Sequence, residues 1–359
     1  MAVTSVLSAR SHAPKRGGDR RVLARLLTLF LAVFLLLTAL LSLGWGAASD
    51  TDVIGAMLGR DGVSLRDQTI VWDIRLPRVF TGLLVGAALA VSGAIMQGLF
   101  RNPLADPGLV GVSAGAGFGA VLAIVLGGSA PLWFQAIVGY YMVPLAAFFG
   151  GWITTLLLYS VATRNGRTSV ATMLLAGIAL AALTGALTGI LVYYATDDEL
   201  RDLTFWGLGS VAGANWQKFW SAAPLIIICL VAAPFLARSL NALALGEAAA
   251  GHLGIRVQLM KRVAILTVAC SVGAAVAVTG GIGFVGIVVP HLLRLVQGPD
   301  HNGLLINSAL LGGVMLLFAD AISRSVIAPA EMPIGIITAV IGGPFFLWIL
   351  MRNRSLVDL

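Results

Sequence analysis

The chain has 359 residues, 58% of them hydrophobic and only 11% charged, with a mean hydropathy of +0.96; this excludes a soluble globular domain and describes a polytopic membrane protein. A net charge of +7 would suit a nucleic-acid binder. The basic residues, however, stand at the ends of apolar runs rather than on one soluble face, so membrane orientation accounts for them and nucleic acid is excluded as a partner.

Residues 1–25 read as a basic cytoplasmic tail, with Arg10, Lys15, Arg16, Arg20, Arg21 and Arg25 ahead of the first apolar run. That run, 26–45, is too long for the core of a cleaved signal and is predicted to remain as the first helix. Further runs long enough to cross about 30 Å of hydrocarbon occupy 79–99, 109–126, 140–161, 170–194, 219–236, 263–282, 304–323 and 334–351. A tenth, 284–296, is short and carries Pro290. Parity includes it: the tail and the end bearing Arg352 and Arg354 both lie in the cytoplasm only if the number of spans is even. The expected fold is therefore all-α, with about ten transmembrane helices in one domain over 26–351 and both termini cytoplasmic, including the end at 352–359. Cys229 and Cys270 fall inside apolar runs and read as packed thiols, not as a disulfide or metal pair.

Val85 to Ile95 reads VGAALAVSGAI and Val272 to Ile282 reads VGAAVAVTGGI, identical at eight of eleven places. Five spans separate the copies, so they cross in opposite directions, which predicts an inverted repeat with halves at 77–194 and 263–351. Coincidence in Ala/Gly/Val-rich helices is the alternative. On the fifth run Gly177, Ala181, Gly185 and Gly189 recur every four residues on one face. That face fits close helix packing, or a smooth wall for a bulky solute.

Between the halves, residues 238–262 form a mildly polar segment of small residues, LNALALGEAAAGHLGI, flanked by Arg238, Arg256, Lys261 and Arg262. Two helix-prone pieces, Leu240 to Leu245 and Glu247 to Leu253, are each followed by a glycine, which ends a helix at little cost. This predicts a helix-turn-helix platform on the cytoplasmic face; an ordinary connecting loop would have a similar outline.

No G-x-x-x-x-G-K-[ST] occurs, so the chain does not hydrolyse nucleotide, and Gly281-Ile-Gly283-Phe-Val-Gly286 lacks the strand that a dinucleotide fingerprint needs. Asp320 is nearly alone among ionisable groups within the spans, and Arg324 one turn on accounts for it. An ion-coupled secondary transporter, the rival class, is disfavoured on that ground.

Arg75-Leu-Pro-Arg78, the stretch VGAALAVSGAIMQGLFRNPLADPGLVGVSAG, the platform, GFVGIVVPHLLRLVQGPDH and PAEMPIGIITAVIGGPFFLWIL, in that order over about 70–351, resemble the permease subunits of type II ATP-binding-cassette importers. Such importers take up ferric siderophores, haem and vitamin B12. The resemblance implies a homodimer in the bacterial inner membrane with two cytoplasmic ATPase subunits, which use the ATP, and a periplasmic binding protein. It implies no catalytic residue, no resident cofactor and no metal site. Leu245, Gly246, Glu247, Ala248, Ala249, Leu253 and Gly254 match the coupling loop that docks on the ATPase. Arg75, Arg78 and Arg324 match outer-face arginines that meet acids of the binding protein; snorkelling to lipid phosphates would also explain arginines at span ends. Spans five and ten would border the path. The segment 195–210, with its DLTFW run, is similar to that of haem importers, which implies haem as substrate, with ferric siderophore or vitamin B12 as the alternative. His291 and His301 can ligate haem iron in passing, or serve structure alone.

Overall fold

The computed structural model describes residues 20–352 apart from 47, 49, 165, 166 and 329, so most of the basic tail and residues 353–359 lie outside the described residues. Eight helices are long and apolar enough to cross a membrane, and two shorter ones, Val285–Gln297 and Ile334–Ile349, bring the total among the described residues to ten.

The first helix, α1 (Arg20–Gly44), leads through two short helices, α2 (Val53–Leu58) and α3 (Leu65–Thr69), into a turn of π-helix, Ile70–Arg75, that continues as α4 (Leu76–Leu99). The span expected from residue 79 thus begins at Leu65. Pro77 has no N–H to give the turn before it, and the backbone widens there instead of breaking. Next come α5 (Val112–Leu126), α6 (Leu132–Val138) and α7 (Met142–Ala162). A small antiparallel pair, β1 (Thr163–Arg164) with β2 (Arg167–Thr168), turns the chain into α8 (Val170–Tyr194). The remainder is α9 (Asp197–Leu208), α10 (Trp216–Leu243), α11 (Glu247–His252), α12 (Val257–Thr279), α13 (Val285–Gln297), α14 (His301–Val326) and α15 (Ile334–Arg352).

Helix α4 is the centre: all its residues except Phe80 and Leu83 are buried, and α10, α12, α13 and α14 surround it. Small residues make this possible. A Cβ on Gly86 would run into the backbone of Gly312 on α14, and one on Gly93 into that of Gly286 on α13, so these helices touch backbone to backbone. Helix α8 is the opposite case, with only Met173 and Thr184 buried among its described side chains.

The two copies of the repeat lie on α4 and α12 and run antiparallel. Both α4 and α10 begin at one end of the bundle, where Trp216 Nε1 donates to Trp72 O at 2.7 Å; α10 then reaches the other end, and α12 returns through α11. The copies part at their last residues. Gly93 remains helical, whereas its counterpart Gly280 has φ of 71° and ends α12. Gly281, where the first copy has Ala94, adds to the freedom of the break.

Two expectations require correction. Leu240 to Leu245 is not a separate helix: α10 continues to Leu243, so the platform is one long helix, a turn and one short helix. Helix α9 was not foreseen, although Thr196 and Glu199 form a capping box at its start.

Candidate functional site

At one end of the bundle the chain projects α11. Gly246, with φ of 105°, turns the chain out of α10, and Gly254, with φ of 80°, turns it back into α12. Gly254 N–H bonds to Gly251 O at 3.0 Å and Ile255 N–H to Ala250 O at 3.1 Å, a Schellman closure that satisfies the last carbonyls of α11. Ala250 is buried against the bundle, while Leu245 and Leu253 are 70% and 59% exposed. Glu247 and Ala248 are exposed beside them, and Ala249 and Gly246 half-buried. All seven residues of the expected platform therefore form one protruding surface.

This surface is braced from below. Lys261 on α12 is buried; its Nζ meets Glu247 Oε1 at 2.7 Å and donates to Thr168 O at 3.1 Å. A displaced α11 consequently pulls on α12 and on the β1–β2 turn together. Sequence reasoning assigned Lys261 only to a basic flank; the Glu247 to Lys261 spacing crosses a turn, and no helical periodicity reveals it.

The far end holds Arg75, Arg78 and Arg324, and all three are buried, at 5%, 6% and 8% exposure. Arg78 donates through Nε and Nη2 to Asp320 Oδ1 at 3.0 and 2.8 Å, and through Nη1 to Glu331 Oε1 at 2.8 Å. Arg324 Nη2 lies 2.9 Å from Asp320 Oδ2. Arg324 and Arg75 also close the end of α1: Arg324 Nη1 donates to Trp45 O at 2.6 Å, and Arg75 donates to Leu43 O and Ala48 O, each at 2.6 Å. The expected free guanidinium forks are thus engaged inside the chain, and contact with a partner's carboxylates would require breaking these bonds. The reason is Asp320, a buried acid that attracts two cations where sequence spacing revealed only one.

The residues expected along a path separate. Ala181, Gly185 and Gly189 are exposed and Gly177 is half-buried. A Cβ on Gly185 or Gly189 would meet nothing within 4 Å, so among the described residues no helix packs on that part of the face. His291 is buried, with its ring 6.3 Å from that of Phe345 on α15. His301 does not belong with these residues. It begins α14 at the platform end, with its N–H and Nδ1 2.9 and 2.8 Å from Asn241 Oδ1 and its ring against Gly98. It joins α10 to α14. Among the described residues no group of three or more His, Cys, Asp or Glu side chains could hold a metal.

A helical bundle with an exposed, braced platform at one end is built to transmit motion. Comparison with known proteins agrees. The model of the FecCD transport family matches residues 30–352. The hemin transport system permease protein HmuU of Yersinia pestis is 43% identical over 343 residues, 93% of this chain and 98% of that protein. The vitamin B12 import system permease protein BtuC of Salmonella typhi is 44% identical over 298 residues, 82% and 87% of the two chains. Among solved structures, an inward-facing ABC transporter of metal-chelate type matches with a TM-score of 0.79 and 33% identity over 91% of this chain and 99% of that one. PsaBC from Streptococcus pneumoniae, at a TM-score of 0.53 and 16% identity over 85% of this chain, shares the fold. The chain belongs to the FecCD transport family and is the multi-pass permease subunit of a binding-protein-dependent ABC importer, with its ATPase on a separate subunit.

Proposed function

We propose that the chain forms a homodimeric permease that imports haem across a bacterial inner membrane, with both termini and α11 in the cytoplasm. The observation that carries the substrate is the likeness to a hemin permease along 98% of that protein's length. The vitamin B12 permease is as similar in identity but over less of its length. Vitamin B12 or a ferric siderophore is the second reading.

The mechanism follows from the two ends. Leu245 and Leu253 insert into an ATPase subunit, and Glu247, held by Lys261, passes its movement to α12. Rigid helices in backbone contact around α4 then rock as units instead of deforming. The uncovered face of α8 turns toward the partner permease and borders the path with α15, giving a wall of small groups that offers few directional contacts. Selection therefore rests with the binding protein. Arg75, Arg78 and Arg324 hold the rim on which that protein docks; direct pairing with its acids competes with Asp320 and Glu331 for Arg78, with Asp320 for Arg324, and with the carbonyls of Leu43 and Ala48 for Arg75.

The test is uptake by the reconstituted complex with each cognate binding protein. ATP-dependent accumulation of haem with ion gradients collapsed is expected, and transport of only a siderophore or vitamin B12 would overturn the substrate.

A further inference from the structure

A cavity of about 370 Å³ opens at the far end between α7, α9, α10 and α12. Its walls include Tyr140, Phe205 and Trp206, and its floor the broken end of α12 at Gly280. Tyr140 is already engaged, its hydroxyl 2.9 Å from Asn215 Nδ2. Lys218, in the first turn of α10, also lines the cavity. Its backbone N–H is capped by Asn215 Oδ1 at 2.8 Å, but among the described residues no carboxylate lies within ion-pair distance of its Nζ.

The contrast with Lys261 is informative. The two are the only lysines among the described residues, and Lys261 has both a carboxylate and a carbonyl. A half-buried ammonium with no counter-ion among the described residues, in a cavity lined in part by Tyr140, Phe205 and Trp206, suits a ligand that is itself flat, apolar and anionic at one edge. At Phe205 the wall is flanked by a second cation, with Arg201 5.9 Å from the ring centroid.

We propose that this cavity receives the carboxylate-bearing edge of the transported solute, with Lys218 as its ion-pair partner and Trp206 and Phe205 against its plane; the inference rests on the haem reading above. The cavity is too small for a whole porphyrin and accepts only one edge, so it would serve as a station at the entrance rather than a tight site.

The test compares iron protoporphyrin IX with its dimethyl ester, which keeps the ring and loses both carboxylates. In right-side-out vesicles holding the wild-type import complex, a membrane-impermeant succinimidyl ester should acylate Lys218, read by peptide mass spectrometry. The diacid should slow this reaction at least threefold and the diester should not. In uptake, Lys218→Gln should lower haem import about tenfold below saturation, the effect of one charge-assisted hydrogen bond, and Lys218→Arg should retain it. Equal protection by diacid and diester, or protection by neither, overturns the proposal. Protection by the diacid with no haem uptake overturns the haem reading and leaves the anion cavity standing. Uptake without protection does the reverse.

Discussion

Arg78 and Asp320, 242 residues apart in sequence, meet through two guanidinium nitrogens that share one carboxylate oxygen at 3.0 and 2.8 Å. The other oxygen of Asp320 takes Arg324 at 2.9 Å, so one buried acid holds α4 and the end of α14 together. Asp320→Asn leaves buried Arg324 with no carboxylate and Arg78 with Glu331 alone, and is expected to cost about 3–5 kcal/mol, read as a large fall in the unfolding temperature in detergent. The exposed pair of Arg66 and Asp50, 2.9 Å apart, is the control. Arg66→Ala should leave that temperature unchanged, and equal shifts in the two variants would refute the role given to the buried cluster.

Leu245 is 70% exposed, so Leu245→Asp should fold as well as the parent. Association with the ATPase subunit should nonetheless weaken at least tenfold, because an apolar anchor at the centre of an interface is replaced by a charge. Glu247→Arg should act differently, since it also sets a second cation against buried Lys261. That variant is expected to bind less well, lose transport and unfold at lower temperature. Full ATP-driven uptake by both variants would exclude α11 as the coupling element.

Gly93 and Gly185 test packing against openness. Alanine at Gly93 drives a methyl into the backbone of Gly286, and alanine at Gly185 meets nothing within 4 Å. Gly93→Ala should reduce the yield of folded permease and cost about 1–3 kcal/mol or more. Gly185→Ala should be silent in stability. Gly185→Trp, which keeps the helix and fills the space beside it, should lower transport without lowering the unfolding temperature; a fall in both would mean that α8 is packed more tightly than its exposure indicates.

Asp300 gives a pH dependence of known sign. Burial alone would raise its carboxyl, but hydrogen bonds from Asn302 and Asn241, with the charge of Arg21 nearby, hold it below its usual 3.8. A lowered value in the folded state means that ionisation favours the fold. The contribution is complete above about pH 4 and is lost as acid takes the pH down through the folded value. Amide exchange in the first turn of α14, corrected for intrinsic rates, should quicken as the pH falls below about 4, and in Asp300→Asn it should be fast and level. Wild-type exchange indifferent to acid would contradict the assignment.

What the sequence made legible follows its physics. Lipid demands long apolar helices, so hydropathy located nine spans and parity the tenth; helix ends reach beyond the apolar runs in α1, α10 and α12, and most of all in α4, whose start in the charged 65–75 stretch no apolar window detects. Helix α9 is amphipathic and short, invisible to that window, and only Thr196 and Glu199 at capping-box spacing marked it. The platform was recognisable because Gly246 and Gly254 must turn the chain. Its brace was not, because Lys261 pairs across that turn. The partners of the arginines and of His301 inside the chain were hidden for one reason: Asp320 lies 242 residues from Arg78 and Asn241 lies 60 from His301, distances that only the fold closes.

Helix α1 lies along α14 with only Leu31, Ser42 and Leu43 buried. Polar ties fasten it at both ends: Thr28 and Ala24 to Asn307 at one, Arg75 and Arg324 to its last carbonyls at the other. During biosynthesis such a segment can be handed to lipid as soon as it leaves the ribosome, long before α14 exists. Its attachment must then wait until α14 has been made, so this seam joins the first span to a late one.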